Sequence, residues 1–390
     1  MIKFAVINLG CRVNRAESDM IEKLMSNRGI QVDKKSADII FINTCTVTST
    51  ADKKTRKTVS NALRENKHAK IVAIGCAANM YPEYFTSLDE RVSVADKFKL
   101  LSDLEDLSDA DHKNSQARVN VKIQDGCNNA CTYCIVHTAR GNSRSMKREK
   151  IISTCKDLDS KLTPEIVLTG INLGTYSDPS LYQLLIDLLE HTTDVRYRIS
   201  SIEPMQVSDN LLSVIKDSNG RICRHFHLPL QSGSESILKA MDRHYTAAEF
   251  AALTDKIYSL MPTFSLSTDI IVGFPGESDS DFSDTLSVAK HARFSKIHVF
   301  PYSKREGTPA AEMDCQIPES IKNERAKILR EFGIGLRQAE FNKRIGNLET
   351  VVIENGEIAT TESYFTIKAP ANSIPNTTLK LKLDSGMLVS

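Results

Sequence analysis

The chain has 390 residues, 41% of them hydrophobic and 25% charged, which is the composition of a globular protein long enough for two or three domains. Its 50 Lys and Arg residues nearly equal its 49 Asp and Glu residues, so a nucleic-acid surface must come from local patches and not from net charge. No run approaches eighteen uncharged apolar residues, which excludes a transmembrane helix. Nine cysteines, an odd number at scattered positions without an export signal, indicate reduced thiols and a cytoplasmic location.

The first part of the chain alternates strand-like and helix-like stretches. Three short apolar runs, each bounded by polar residues, occupy residues 3–8, 37–43 and 69–74. This alternation predicts βαβ units and a parallel sheet. Cys11, Cys45 and Cys76 each follow one run, and ligand sites in open α/β sheets gather at the carboxyl ends of the strands. The three thiols are therefore expected to converge on a metal-sulfur site, although cysteine also occupies buried positions without such a role.

A basic segment follows Cys45. The helix predicted to begin near residue 50 carries seven Lys and Arg residues between residues 52 and 70, against two acidic residues, Asp52 and Glu65. Such a face would suit contacts to RNA phosphates, and an ordinary solvated helix face explains the same pattern almost equally well.

Residues 124–137 carry the most specific chemistry in the chain. They place Cys127, Cys131 and Cys134 at CxxxCxxC spacing directly after Gly126. A 4Fe-4S cluster normally has four thiolate ligands, so three cysteines would leave one iron free to bind a small cofactor and pass it an electron. A structural zinc site completed by His137 is the alternative, and it is less favoured because zinc sites commonly use CxxC pairs.

After the cysteine segment, strand-like and helix-like stretches alternate through about residue 315. The strand-like runs lie at 118–124, 165–169, 196–200, 224–228, 265–272 and 296–300. Six such units are consistent with a partial TIM-like barrel, whose chemistry would lie at the carboxyl ends of the strands. Turns rich in Gly and Pro follow several of these runs, as that fold would require. His225 and His227 alternate on one strand, where we favour a structural role over a shared zinc site.

The pattern changes again toward the C-terminus. Residues 318–343 read as a long helix, and strand-like runs follow at 348–353, 364–368 and 378–383. They predict a small β-barrel of about 45 residues. Five basic and five acidic residues lie between residues 343 and 390, so charge alone gives little support for RNA binding there.

These motifs resemble those of one enzyme family. The CxxxCxxC segment, with Tyr133 before its last cysteine, resembles the signature of the radical S-adenosylmethionine (SAM) enzymes. The segments LGCRVN at 9–14, NTCTVT at 43–48 and GC at 75–76 resemble the N-terminal domain of the methylthiotransferases within that superfamily. The second of them most resembles the MtaB-type branch, which modifies N6-threonylcarbamoyladenosine in tRNA.

The resemblance implies an α/β fold with three domains. An N-terminal parallel α/β domain would span residues 1–99, followed by a linker at 100–117. A partial TIM-like (β/α)6 radical SAM barrel with its connecting helix would span 118–342. A small TRAM-like β-barrel that binds RNA would span 343–390.

The resemblance also implies two cofactor sites. A 4Fe-4S cluster that binds SAM and splits it reductively would be held by the catalytic cysteines Cys127, Cys131 and Cys134. An auxiliary 4Fe-4S cluster that supplies sulfur would be held by Cys11, Cys45 and Cys76. The expected contacts to SAM come from Tyr133, Thr169, Gly170, Asn172, Glu203 and Gln231. The radical derived from SAM would remove hydrogen from C2 of adenosine 37, beside the anticodon, and a methylthio group would take its place.

The loop after the cysteines resembles the family's Arg-Gly-x-x-Arg-Ser-Arg motif, with Met146 where a third arginine is frequent. Arg140 and Arg144 could each bind a carboxylate or phosphate through two hydrogen bonds. A threonylcarbamoyl group carries a carboxylate, so both arginines are expected to contact the substrate. The departure at Met146 leaves the identity of that substrate open.

The predicted partners are the anticodon loop of tRNA and an electron donor such as flavodoxin or ferredoxin, with no membrane partner. Two alternatives keep the same chemistry and both cysteine sets: a methylthiotransferase acting on isopentenyladenosine 37, and one acting on a ribosomal protein. The more distant alternative is a non-enzymatic RNA-binding module stabilised by zinc.

Overall fold

The structure is a computed structural model that describes residues 1–96, 99–100 and 116–389, so most of the predicted linker lies outside the described residues. Its strands are β1 (Ile2–Asn8), β2 (Gly29–Gln31), β3 (Ile39–Thr44), β4 (Lys70–Gly75), β5 (Val92–Val94), β6 (Arg118–Lys122), β7 (Gln124–Asp125), β8 (Arg144–Ser145), β9 (Glu165–Thr169), β10 (Arg196–Ile199), β11 (His225–His227), β12 (Ser265–Val272), β13 (Lys296–Pro301), β14 (Leu348–Ile353), β15 (Ile358–Thr361), β16 (Thr366–Lys368) and β17 (Thr378–Lys382). Its helices are α1 (Arg12–Ser26), α2 (Ser49–Glu65), α3 (Cys76–Met80), α4 (Pro82–Thr86), α5 (Val136–Arg140), α6 (Arg148–Ser160), α7 (Leu181–His191), α8 (Asp209–Asp217), α9 (Glu235–Ala240), α10 (Ala247–Leu260), α11 (Asp279–His291), α12 (Pro309–Glu312) and α13 (Glu319–Asn342).

The N-terminal domain contains a five-stranded parallel sheet in the order β2-β1-β3-β4-β5, which confirms the predicted fold class. Its central strands are apolar on both faces because a helix covers each face. Ile21 and Leu24 of α1 pack on one side, and Val59 of α2 packs on the other. Each of these buried side chains contributes about 1.5–3 kcal/mol to folding. The two layers fix the carboxyl ends of β1, β3 and β4 at one edge of the sheet.

The middle of the chain forms six parallel strands. Hydrogen bonds join β6, β9 and β10 into one group and β11, β12 and β13 into another. Parallel bridges from Tyr197 to Ile222 and from Ser201 to His227 connect the two groups. The predicted partial barrel is therefore confirmed, and its helices cover an apolar outer face to which Ile166, Leu168 and Ile199 belong.

The inner face of this barrel is polar. Residues that alternate with the apolar ones include Glu165, Arg198, His227, Ser267 and Asp269, and Arg198 is fully buried against Glu165. Branched apolar side chains usually fill the interior of a parallel barrel. Burying charged groups is costly unless they are paired, so a polar interior indicates a functional lumen.

The C-terminal residues form a four-stranded antiparallel sheet in the order β16-β15-β14-β17, consistent with the predicted small β domain. The apolar pattern did not predict β15, because this short strand contains Ala and Thr where larger apolar residues would mark a strand. Arg198 donates to the carbonyls of Thr361 and Glu362, and Arg196 pairs with Glu362 at 3.3 Å. The β domain therefore docks against the amino ends of the barrel strands. No helix in the described ranges has the length and apolar character required to cross a membrane.

Candidate active site between two sets of cysteines

The loop that carries Cys127 is fixed by its own neighbours. Gly126 has a φ of +74°, and a Cβ atom there would lie 2.0 Å from the carbonyl oxygen of Asn142, so only glycine fits. The buried amide of Gln124 donates to the carbonyl of Gly126 at 2.8 Å, and its oxygen accepts the backbone N–H of Asn172 at 2.9 Å. One side chain thus ties the cysteine loop to the turn after β9.

Hydrogen-bond donors surround the three sulfur atoms of this loop. Each accepts one N–H group: Cys127 from the backbone of Asn129 at 3.4 Å, Cys134 from the backbone of Val136 at 3.4 Å, and Cys131 from Nη1 of Arg243 at 3.2 Å. Burial raises the pKa of Cys127 and raises that of Cys134 to about 12. Donors aimed at sulfur favour the thiolate that a metal-bound cysteine requires.

Arg243 is a site residue that the sequence analysis missed. Its side chain is 3% exposed, forms a salt bridge with Glu203, and lies 5.0 Å from the ring centroid of Tyr245. It follows α9 as a single arginine outside any recognisable motif, so the sequence offers no signal for it. The guanidinium places one positive charge beside Cys131.

A cavity of 260 Å³ opens in front of these cysteines, and we call it the cysteine cavity. Four of the residues predicted to contact SAM line it: Tyr133, Asn172, Glu203 and Gln231. The buried Nδ2 of Asn172 has no hydrogen-bond partner within the part of the chain that the structure describes. An unpaired buried donor at the wall of a cavity fits a ligand with polar groups, as SAM has.

Thr169 and Gly170 lie behind the cavity wall. The hydroxyl of Thr169 donates to the carbonyl of Val167 at 3.0 Å, and a Cβ on Gly170 would lie 2.7 Å from Leu173. Both residues shape the turn that presents Asn172. A direct contact between either residue and SAM stays a prediction.

The cysteines of the N-terminal sheet reach the same region from the other side. Cys11, Cys45 and Cys76 follow β1, β3 and β4, and none of the three forms a disulfide with another described residue. Burial raises the pKa of Cys45, and the nearby thiols of Cys76 and Cys11 raise it further. Val47 and Thr48, just after Cys45, line the cysteine cavity. The segment that follows Cys45 therefore borders the barrel cavity.

The spacing of the thiols bears on the zinc alternative. Among the described residues, one group of three His, Cys, Asp or Glu side chains has its ligand atoms mutually within 4.8 Å, and neither cysteine set is that group. Thiolates on one zinc ion lie about 3.8 Å apart, because each Zn–S bond is about 2.3 Å. The wider spacing of both sets fits a polynuclear cluster better than a single zinc ion.

Arg140 occupies a different place from the one predicted. Its side chain is 1% exposed and contacts Glu17 at 3.1 Å, Asp125 at 2.9 Å and the Asn14 amide oxygen at 2.8 Å. Its guanidinium is thus engaged by α1 of the N-terminal domain and by the barrel, and it anchors the two to each other. This placement does not support a substrate contact at Arg140. Arg144 is 43% exposed and 3.7 Å from Asp125, so a substrate contact stays a prediction for it.

The histidines of the lumen form polar contacts with neighbouring barrel strands. The compact group noted above consists of His227, Asp269 and His298, with His227 Nε2 3.3 Å from a carboxylate oxygen of Asp269. His225 instead shares the hydroxyl of Ser267 with His227, at 3.0 and 3.1 Å. Burial lowers the pKa of His298 to about 4, so this side chain is neutral at pH 7. The structure therefore pairs His227 with Asp269 and joins both His225 and His227 to Ser267.

Two family models match the chain. One, described as the radical SAM superfamily, matches residues 121–289, and the other, described as uncharacterized protein family UPF0004, matches residues 3–95. These ranges contain the barrel cysteines and the three cysteines of the N-terminal sheet, respectively.

Curated relatives align with most of the chain. The threonylcarbamoyladenosine tRNA methylthiotransferase MtaB of Bacillus subtilis (strain 168) is 38% identical over 83% of this chain and 79% of its own length. The protein of the same name from Chlamydia pneumoniae is 38% identical over 93% of this chain and 90% of its own. A tRNA-2-methylthio-N(6)-dimethylallyladenosine synthase of Carboxydothermus hydrogenoformans is 33% identical over 95% and 92%.

Solved structures support the fold. The radical S-adenosylmethionine methyltransferase TsrM of Kitasatospora setae superposes with a TM-score of 0.56 at 11% identity, over 79% of this chain and 77% of its own. The cobalamin-dependent S-adenosylmethionine radical enzyme OxsB superposes with a TM-score of 0.52 at 11% identity, over 86% and 56%. At such low identity the similarity establishes the shared fold alone.

Proposed function

The chain belongs to the tRNA methylthiotransferase family of radical SAM enzymes, and on that premise we propose that it converts N6-threonylcarbamoyladenosine 37 of tRNA to its 2-methylthio derivative. The observation that carries the proposal is the lining of the cysteine cavity, where Val47 and Thr48, which closely follow Cys45, lie together with Cys127 and Cys131. Replacing hydrogen by a methylthio group needs a source of radicals and a source of sulfur close to one substrate atom. Relatives named for threonylcarbamoyladenosine, at 38% identity, support this substrate.

The barrel cysteines suit the cluster that this family uses with SAM. Cys127, Cys131 and Cys134 would hold a 4Fe-4S cluster, and Tyr133, Asn172 and Gln231 would surround SAM in the cysteine cavity. Bound there, the cluster and SAM would supply the radical chemistry that removes hydrogen from C2 of adenine. Three protein ligands leave one iron position for SAM, which is the arrangement this chemistry requires.

The protein's own groups would orient these components and exclude water. Asn172 offers an unpaired N–H to the cofactor, and Gln124 fixes the turn that holds Asn172. Arg243 places a positive charge beside Cys131, and this charge would favour the reduced form of a cluster held there. Glu203 forms a salt bridge with Arg243. Any contact of Glu203 with SAM would therefore come from a carboxylate whose charge Arg243 already balances.

We further propose that Cys11, Cys45 and Cys76 hold an auxiliary 4Fe-4S cluster that supplies sulfur. Two of these thiols are buried, and the helix that begins at Cys76 packs against the helix that follows Cys134. That contact supports a short distance between the two sites. Arg140 joins the same two parts of the chain through its hydrogen bonds to Glu17 and Asp125.

The proposed partners are tRNA and an electron donor such as flavodoxin or ferredoxin, in the cytoplasm. Lys53, Lys54 and Lys57 are exposed on α2 and would contact RNA phosphates. The β domain would help to grip the tRNA, and the anticodon loop can deliver an unstacked base into a pocket.

The test is mass spectrometry of tRNA nucleosides from cells with and without this gene. We expect 2-methylthio-N6-threonylcarbamoyladenosine to disappear and to return on complementation. Loss of the 2-methylthio isopentenyl nucleoside instead would keep the chemistry and change the substrate. If neither nucleoside changes, a ribosomal protein becomes the substrate to examine.

A further inference from the structure

A second cavity lies where the three parts of the chain meet. Its volume is 380 Å³, and we call it the arginine cavity. Its walls include Arg12 and Arg15 of α1, Arg118 of β6, and Glu354 and Tyr364 of the C-terminal β domain. Three guanidinium groups face one carboxylate across this space, so the cavity is suited to an anion.

Arg12 differs from the other two arginines of this cavity. Arg15 pairs with Asp19 at 2.7 Å, and Arg118 pairs with Glu354 at 2.8 Å. Arg12 forms no ion pair within the described ranges, and it donates a hydrogen bond to the hydroxyl of Tyr364. Arg12 is half-buried, and because it has no carboxylate partner its guanidinium keeps N–H groups that can donate to a bound carboxylate.

Tyr364 has a left-handed backbone conformation, and its ring packs against two arginines and a histidine. Its φ is 67°, a left-handed conformation that bulky residues rarely adopt. Its ring centroid lies 5.1 Å from Arg12 and 4.9 Å from Arg198, and its ring packs on His225 at 4.6 Å. Burial acts to raise the pKa of Tyr364, but the arginines outweigh it and the pKa is lowered. The hydrogen bond from Arg12 to the Tyr364 hydroxyl and the contact of Arg12 with the Tyr364 ring together fix the direction of Arg12.

Arg12 also lies close to the reaction site. It directly follows Cys11, and its charge is among those that lower the pKa of Asp269 against the opposing effect of burial. Asp269 lines the cysteine cavity and Arg12 lines the arginine cavity, so the charge of Arg12 acts on a wall of the proposed reaction site.

We propose that Arg12 binds the carboxylate of the N6-threonylcarbamoyl group and that Tyr364 is the residue that positions Arg12. This inference rests on the proposed function. In adenine, one ring nitrogen separates C2 from the carbon that bears N6, so a residue that binds the N6 substituent is expected near the proposed sulfur source. Arg12 meets this expectation because it directly follows Cys11. An uncharged isopentenyl group would leave Arg12 without an anionic partner, so the same side chain would disfavour that substrate.

The test compares Arg12→Gln and Arg12→Lys with the control Arg28→Gln, which removes an exposed arginine beyond the end of α1. The full chain with reconstituted clusters is assayed on tRNA carrying threonylcarbamoyladenosine, isopentenyladenosine or unmodified adenosine at position 37. Both kcat/KM for methylthio formation and Kd for each tRNA are measured. Iron content and SAM cleavage without tRNA report on damage to the clusters.

We expect Arg12→Gln to lower kcat/KM on the threonylcarbamoyl substrate by about 10- to 100-fold, the range for one charge-assisted hydrogen-bonded contact. Its affinity for unmodified tRNA should be unchanged, and Arg12→Lys should lose less. Tyr364→Phe should show a smaller loss with the same selectivity for the threonylcarbamoyl substrate.

An equal loss of affinity for all three tRNAs would overturn the inference and assign Arg12 to a backbone phosphate. Unchanged selectivity in Arg12→Gln would overturn it as well. A wild-type chain that acts on isopentenyladenosine alone would overturn the proposed substrate, and this outcome is recognised before any variant is compared.

Discussion

The cysteines of the barrel and those of the N-terminal sheet reach their sites by different routes. Cys127, Cys131 and Cys134 lie within eight residues on a loop that Gly126 and Gln124 hold through local contacts. Cys11, Cys45 and Cys76 are about thirty residues apart and meet because three parallel strands end at one edge. A local site depends mainly on its own loop, whereas an assembled site depends on the packing of the whole sheet. Damage to tertiary packing should therefore affect the second site first.

The largest expected difference between the two cysteine sets comes from removing one thiol from each. We expect Cys131→Ala to abolish 5′-deoxyadenosine formation, by roughly 10³-fold or more, because the catalytic groups act as a unit. Cys45→Ala should retain SAM cleavage and lose the methylthio product. Chromatography of 5′-deoxyadenosine and mass spectrometry of the tRNA measure both.

Cys315→Ala, which changes an exposed cysteine outside both sets, is the control. If Cys131→Ala still cleaves SAM, the ligand assignment is wrong. If Cys45→Ala still yields product, the auxiliary cluster is wrong.

Arg140→Gln should weaken the assembled site more than the local one. It removes a buried guanidinium from Glu17 and Asp125, both of which keep Lys122 as a partner, at 3.1 and 3.4 Å. The loss of stability should therefore be smaller than the roughly 3–5 kcal/mol that a buried charge costs when its pair is broken completely. We expect lower thermal stability and a loss of iron from the N-terminal site before the barrel site. Iron content and the melting temperature measure the effect.

Arg140→Lys, which keeps the charge, should lose less stability. A variant that melts normally but loses only its affinity for the threonylcarbamoyl substrate would return Arg140 to the substrate role predicted from the sequence.

Arg243→Gln should act on the local site alone. It removes a positive charge and a hydrogen bond from Cys131, so the reduction potential of the barrel cluster should become more negative. We expect SAM cleavage to slow by about 10- to 100-fold, because a charge-assisted hydrogen bond contributes about 1.5–3 kcal/mol. A redox titration with Arg243→Lys as the control measures the shift, and an unchanged potential would contradict this role.

The pH dependence of stability gives the smallest effect and concerns neither cysteine set. Burial acts to raise the pKa of Glu165, but Arg198 outweighs it and lowers the pKa to about 2 from 4.5. The pair therefore stabilises the fold above about pH 4.5, and this contribution is lost as the pH falls toward 2. In the cluster-free chain, Glu165→Gln should reduce the slope of unfolding free energy against pH in that window by up to about 1.4 kcal/mol per pH unit. Parallel slopes for both chains would contradict this.

The sequence by itself determined the features that depend on local pattern. Short segments contain these features: the CxxxCxxC spacing, the apolar runs of the central strands and the three cysteines after strand ends. The family resemblance rests on the same segments. Parallel strands bring their carboxyl ends to one edge, so the placement of Cys11, Cys45 and Cys76 after three neighbouring strands was predictable from topology.

Only the tertiary structure decided which charges meet. Arg140 and Arg144 look equivalent in sequence, yet one is buried between Glu17 and Asp125 and the other is exposed. Arg243 reaches Cys131 from more than a hundred residues away, and Tyr364 of the C-terminal domain reaches Arg12. A long polar side chain gives no periodic signal, and its partner depends on how separate elements pack, so its role follows from the fold and not from its neighbours in the chain.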